Sequence, residues 1–194
     1  MAELMQIFAG SQGVRAHFTE ERHLSILTTP IQTEGELFFS PPSRLARHTR
    51  RPGRSSLIVD GDRLTLSDET GEQTLSLDSS AVARGLVDNF ILLLRGDLSS
   101  LRQMYEVAFY SRGSADSPDS TGWVIELVPR DPTTRSLVER IRITGISDSL
   151  SSMDTLETNG DRTIMKFSGV ETGIQFDQEQ LLLFFSVPKE EESQ

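Results

Sequence analysis

The sequence predicts a mainly β (α+β) fold, a large curved antiparallel sheet with helices on one face. Three observations predict it. Short apolar runs alternate with polar residues and recur at brief intervals, each bounded by Gly, Pro, Asp or Asn. Two of the boundaries are Asp60-Gly61 and Asn159-Gly160, dipeptides that close tight hairpins because both residues tolerate positive φ. Only one long stretch carries a clear helical period. A sheet of about ten strands built this way can wrap around helices without closing, which leaves an apolar interior between the layers.

The elements follow in chain order. Leu4, Ile7 and Phe8 have i, i+3, i+4 spacing, which predicts a short amphipathic helix ending at Gly10 or Gly13. β-branched and aromatic content then rises from Val14 to Leu27, Pro30 interrupts it, and Glu36-Leu37-Phe38-Phe39 starts a second strand. Pro41-Pro42 marks a strand end or edge, and Leu45 to Arg51 reads as a further strand stopped by Pro52-Gly53. Leu57-Ile58-Val59 and Leu64-Thr65-Leu66 flank the Asp60-Gly61 turn, and Gly71 turns the chain again before the alternating Thr74 to Leu77.

Ser79 or Ser80 is placed to cap a helix whose Val82, Leu86, Phe90, Leu93 and Leu94 form one stripe. Gly96 ends it, and Asp97 caps a short second helix through Leu98, Leu101 and Met104. A strand resumes at Glu106 to Tyr110. The Ser-, Gly-, Asp- and Pro-rich stretch from Ser111 to Gly122 reads as an exposed loop. Trp123 to Leu127 and Val138 to Ile146 are the next strands, the second with Ile141 and Ile143 pointing inward. Asn159-Gly160 turns the chain between Leu156 and a strand at Thr163 to Phe167, and Leu181 to Val187 reads as the last strand. One domain over residues 1–188 is expected, with a disordered acidic tail at 189–194.

Composition narrows the function. Of 194 residues, 36% are hydrophobic and 25% charged, the balance of a packed globular fold. A net charge of −10 argues against a nucleic-acid partner, because phosphate binding needs a positive surface, and against adsorption to anionic lipid. The absence of cysteine excludes disulfides, thiolate metal sites and a cysteine nucleophile. No apolar run approaches the ~20 residues of a spanning helix, so membrane insertion is not expected. The N-terminus lacks a basic region followed by an apolar run and a cleavage site, which leaves a cytoplasmic chain or one whose signal peptide has been removed.

Catalytic and metal motifs fare poorly. His17, Glu21 and His23 share a strand face, but the spacing matches no zinc motif and reads as a polar surface. No serine lies in a Gly-x-Ser-x-Gly elbow, and no histidine follows His48 to complete a hydrolase order. Asp60, Asp62, Asp131 and Asp161 are explained by turn chemistry. Neither a Walker loop nor a dinucleotide fingerprint is present, so the sequence calls for no enzyme, no metal and no cofactor. Against the acidic average, Arg44, Arg47, Arg50, Arg51 and Arg54 crowd around His48. One reading is an edge strand protected by charge; the other is contact with phosphate head groups or an acidic partner.

The order of several short segments then becomes informative. These are His17-Phe18-Thr19-Glu20, Gly35 to Phe39 leading into Pro42 and Leu45, and Pro52 followed by Leu57 to Leu64. After them come the covering helix, Trp123 to Pro129, and Phe185-Ser186-Val187-Pro188. In this order the chain resembles the LolA-like outer-membrane lipoprotein carriers, as a divergent member, over about residues 14–188. The resemblance implies an unclosed half-barrel whose concave face is covered by helices around a hydrophobic cavity for acyl chains. It implies a periplasmic monomer that takes acylated lipoprotein or lipid from an inner-membrane donor and passes it to an outer-membrane acceptor. Leu37, Phe39, Leu57, Val59, Leu64, Leu86, Phe90, Leu93, Leu94, Trp123, Ile125 and Ile141 would line the cavity, the alternative for each being that it packs a closed core. Arg44, Arg47, Arg50 and Arg51 would meet a head group or partner. In the resembled carriers an arginine precedes the proline matched by Pro42 and helps hold the helical lid; here Pro41 stands there, and Arg44 is the nearby substitute. The rival readings are a small-molecule enzyme and a periplasmic sensor or assembly module on the same scaffold.

Overall fold

Alternating side chains from Val14 onward assemble eleven strands into one antiparallel sheet. The structure is a computed structural model describing residues 1–79, 87, 91–114 and 117–188, with side chains for all of these except 112–114 and 117–121. In chain order the strands are β1 (Val14–His23), β2 (Ile31–Ser40), β3 (Arg44–Arg51), β4 (Ser55–Asp60), β5 (Arg63–Asp68) and β6 (Gly71–Ser76). Then follow β7 (Tyr105–Ser114), β8 (Ser117–Pro129), β9 (Val138–Ile146), β10 (Ser149–Glu157) and β11 (Arg162–Thr172). Their order in the sheet is β6-β5-β4-β3-β2-β1-β11-β10-β9-β8-β7, so β1 joins two meanders and β6 and β7 are unjoined edges. The sheet does not close.

Most turns form where the sequence placed them. Gly61 lies at φ +63° between β4 and β5, and Gly160 at φ +87° between β10 and β11. Other segments differ. The stretch expected as a loop from Ser111 continues the β7–β8 ladder, with Arg112 opposite Gly122 and Ser114 opposite Ser117. Its Ser, Gly and Asp residues have low strand propensity, but a neighbouring ladder already in register overrides it. In β9, Ile141 and Ile143 are buried as expected, yet Val138 is buried too. The register against β10 skips Glu139, and this bulge brings Val138 to the inner face.

The concave face holds the main core. α1 (Ala2–Ala9) buries Leu4, Met5 and Phe8 there, whereas Ile7 is 52% exposed. The apolar stripe is thus i, i+1, i+4, with Met5 replacing the expected Ile7. Val87 and, in the helical segment 91–94, Ile91, Leu93 and Leu94 are buried, with Val87, Ile91 and Leu94 spaced i, i+4, i+7 in the sequence. Val82, Leu86 and Phe90 of the expected stripe, and its start near Ser80, lie outside the described residues, as does the acidic tail. Gly96, at φ +64°, ends this helix under α1, where a side chain would strike the Met5 carbonyl. Asp97 then caps α2 (Leu98–Met104) by accepting the Ser100 amide at 3.0 Å, and Leu101 beneath it is fully buried. The amide and hydroxyl hydrogen bonds from Ser100 hold the Asp97 carboxyl below its ordinary range. A single turn, α3 (Pro132–Arg135), links β8 to β9.

Helices do not keep to one face. The expected last strand at Leu181 is instead α4 (Gln178–Phe184), opened by a capping box between Asp177 and Gln180. It sits on the convex face, where Phe176, Phe184, Phe185 and Val187 cover Phe38, Ala46 and Ile58. Phe38 and Phe184 stack at 4.4 Å between centroids, and His48 Nε2 donates to the Phe184 carbonyl at 2.7 Å. Among the described residues no helix is long and apolar enough to cross a membrane.

Candidate functional site

Strand pairing aligns the inward side chains into rows across the sheet. One row runs Phe39, Leu45, Val59, Leu64, and the next runs Leu37, Arg47, Leu57, Leu66. On the other side of β1 a row runs Ile125, Ile143, Met153, Met165 and ends at Glu20. Leu127 stands beside Ile141. Trp123 lies over Gly145, where a β-carbon would strike the indole, and its Nε1 donates to the Ser147 carbonyl at 2.9 Å.

Of the expected cavity residues, Leu37, Phe39, Val59, Leu64, Leu93, Leu94, Trp123, Ile125 and Ile141 are buried in one cluster, with Leu57 packed half-buried against it. Leu86 and Phe90 fall outside the described residues. Within the cluster Phe39, Val59, Leu93 and Ile125 have no exposed surface. Half-buried side chains packed against it lie on edge strand β7, at Val107 and Phe109, and mid-sheet, at Met153, Met165 and Phe167. Sequence reading missed the last three. The signal available was the alternation of Met153 with polar neighbours and of Met165 and Phe167 with Lys166.

One charged pair interrupts this apolar face. The Arg47 guanidinium lies 4.5 Å from the Phe18 ring centroid and donates to Glu20 Oε1 at 3.1 Å and Thr33 Oγ1 at 3.3 Å. Both side chains are largely covered, 24% exposed for Arg47 and 16% for Glu20. Arg47 Nε is buried without a hydrogen-bond partner among the described residues, which costs on the order of 1–3 kcal/mol and leaves a donor unused. Beside it opens a cleft of about 500 Å³. Leu57 and Leu66 line its apolar side, and Thr49, Ser55, Asp68 and Gln73 its polar side.

The other arginines behave differently. β3 lies between β2 and β4, so it is not an edge strand. Nor do its arginines form a free positive rim. Arg44 pairs with Asp60 at 3.0 Å, Arg51 with Glu34 at 3.2 Å, and Arg50 with Glu36. The Arg44 pair thus links β3 to the neighbouring strand β4. Glu36, 6% exposed on the convex side, also accepts from Arg15 at 2.8 Å. Burial pushes its carboxyl pKa up, but the Arg15 hydrogen bond and the charges of Arg50, Arg15 and His17 outweigh that and leave it below the ordinary value. The histidines of β1 also pair with acids, His17 with Glu36 at 3.8 Å and His23 with Glu21 at 3.6 Å. Asp131 and Asp161 do the turn work expected of them, accepting the Thr134 and Ser25 amides.

An unclosed antiparallel sheet with helices in its concavity and an apolar inner face defines a class, the β half-barrels. Residues 9–181 match the model of the family described as outer membrane lipoprotein carrier protein LolA, and the chain belongs to that family, which is one of carriers rather than enzymes. An outer-membrane lipoprotein carrier protein of Pseudomonas fluorescens (strain Pf0-1) is 25% identical over 173 residues, 88% of this chain and 77% of the relative. One from Pseudomonas entomophila (strain L48) is also 25% identical, over 97% of this chain and 84% of the relative. Among solved structures, a chain of the Pseudomonas aeruginosa MucA/MucB complex matches with a TM-score of 0.51 at 17% identity, a likeness of fold. The match covers 93% of this chain but only 59% of that one.

Proposed function

We propose that this chain is a periplasmic carrier that binds the acyl chains of lipoproteins or lipids without covalent chemistry and passes them toward the outer membrane. The observation that carries the reading is the concave face itself: apolar rows from strand to strand, incompletely covered at Met153, Met165 and Phe167, with one cationic group among them. The family and the names of the relatives support it. So does solvation, because an acyl chain in water costs ~0.8 kcal/mol per methylene and needs an apolar shelter to cross an aqueous space. In this reading the chain enters along Met153, Met165 and Phe167 and parts the helices from Phe39, Val59, Trp123 and Ile125. Arg47 supplies its unused Nε donor to an ester, amide or phosphate oxygen at the chain's head, beside the hydroxyl-lined cleft. Arg44, Arg50 and Arg51, committed to Asp60, Glu36 and Glu34, take no part.

The test is native mass spectrometry of protein purified from cells, with lipid extraction and a displacement titration using a fluorescent acyl probe. Co-purified acylated species displaced with saturable stoichiometry are expected. A protein that is empty and binds no acyl probe overturns the reading.

A further inference from the structure

The loop between β1 and β2 is unlike the rest of the surface. Residues 24–31, Leu-Ser-Ile-Leu-Thr-Thr-Pro-Ile, carry no charge in a protein whose residues are 25% charged. Ile26 is 86% exposed, Leu27 46% and Ile31 41%, three large aliphatic groups within six positions. Single exposed aliphatics are ordinary, but a cluster on a projecting turn is costly to keep in water unless something covers it. The turn is also held in place. Leu27 donates its amide to the Leu24 carbonyl at 2.9 Å, and the Ser25 amide donates to Asp161 on the β10–β11 turn at 2.7 Å.

Its position in the sheet gives it meaning. Arg22 pairs with Ile31 at the β1–β2 end, and four residues further along β2 a row crosses the ladders through Gly35, Thr49, Ser55, Asp68 and Gly71. The last four line the cleft beside Arg47. The apolar tip and the β3–β4 and β5–β6 turns beside the cleft therefore lie at the same end of the sheet. Three aliphatic side chains offer far less than the ~800 Å² per partner of a stable protein interface, yet they suit shallow insertion below lipid head groups. Arg22 and His23, exposed at the base of the tip, lie at head-group level when it inserts.

We infer that the Leu24–Ile31 turn is a membrane-docking tip that inserts Ile26 and Leu27 into a lipid leaflet and brings the cleft mouth to the lipid surface. The inference deepens the carrier reading but stands on a different part of the molecule. Because the net charge of −10 opposes anionic lipid, the attraction is apolar, and binding to zwitterionic vesicles should be insensitive to salt.

The test is flotation of the full chain with phosphatidylcholine vesicles at low and high salt. A second measurement uses an environment-sensitive dye on Thr28→Cys, a unique label in a chain without cysteine. Wild-type protein should float at both salt concentrations, and the dye should shift to the blue. Ile26→Asp with Leu27→Asp should lower partitioning by at least about tenfold, since each loses an aliphatic insertion. This variant alters exposed side chains only, and its soluble acyl-probe titration should match the wild type. Wild-type protein that stays with the aqueous fraction, flotation equal in the Asp variant, or an unshifted dye each overturns the docking tip. The soluble titration stands apart from all three, so failure of the tip and failure of the carrier reading are separable.

Discussion

Replacing Arg47 by methionine tests whether the charged pair on the concave face is structural or is kept for a ligand. The substitution removes the partner of Glu20, whose carboxylate is 16% exposed between Thr33 and Met165 of the flanking strands. A fully buried pair broken on one side costs about 3–5 kcal/mol, and a solvated pair about 0–1 kcal/mol. With both side chains mostly but not wholly covered, the expected loss is about 2 kcal/mol, or a fall in Tm of roughly 4–8 °C for a chain of this length. The assay is urea unfolding followed by circular dichroism, run on Arg47→Met, Glu20→Leu and the pair together. If the pair is held by its own electrostatics, the double variant should recover to within about 1 kcal/mol of wild type, because an apolar replacement needs no desolvated partner. In the acyl-probe titration it should still bind a bare acyl chain while losing its preference for a chain with a polar head. A double variant as unstable as Arg47→Met would refute the reasoning, since the loss would then lie in packing against Phe18.

Four further outcomes are expected. Met165→Gln should weaken acyl-probe binding with little effect on stability, because Met165 is half-buried at the margin, whereas Leu93→Ala should cost about 2–5 kcal/mol in urea unfolding. Glu36, with a folded pKa below its ordinary 4.5, contributes stability present in full above that value and lost as pH falls through the folded pKa. Urea midpoints between about pH 3 and 6 should therefore decline on the acid side and flatten in Glu36→Gln. Gly145→Ala should drive the Trp123 ring from its seat and cost about 1–3 kcal/mol, seen as a red shift of the sole tryptophan's fluorescence. Phe184→Ala should free α4 from Phe38, speeding hydrogen exchange across residues 178–184 while acyl-probe affinity stays unchanged.

Local signals were legible wherever one residue type dictates the backbone. Asp60-Gly61, Asn159-Gly160, Gly96 and Asp97 each sit where the sequence placed them. Signals that depend on distant neighbours were not. The arginines of β3 look like a free positive cluster because their acids lie elsewhere in the chain: Glu20, Glu34 and Glu36 precede them, and Asp60 follows. Only the antiparallel register of β1, β2, β3 and β4 brings them together. α4 was misread because Leu181 to Phe185 is a continuous apolar run that fits a buried strand. The deciding signal, Asp177 with Gln180 three residues later, lies just upstream and was available as a capping box. Its alternative faces are evident only in place, with Phe184 on the sheet and Leu182 and Leu183 74% and 65% exposed.

The burial of the inner face bears directly on how a carrier would release what it binds. Phe39, Val59, Leu93 and Ile125 are buried among one another and their neighbours, so in the proposed reading an acyl chain inserted among them replaces side-chain contacts instead of adding to bare surface. Its own transfer from water still gains ~0.8 kcal/mol per methylene, but the work of parting the helices from the sheet is subtracted. Net affinity is then a difference between two large terms, and a partner that favours the cargo-free packing lowers it further. A permanently hollow barrel would bind more tightly and release more slowly. In the proposed reading this exchange begins at the half-buried Met153, Met165 and Phe167, since covering them gains apolar burial before any helix has moved. Arg47, anchored to Glu20 over Phe18 and with Nε unpaired among the described residues, lies on the same inner face, where the proposed reading puts the polar end of the acyl chain.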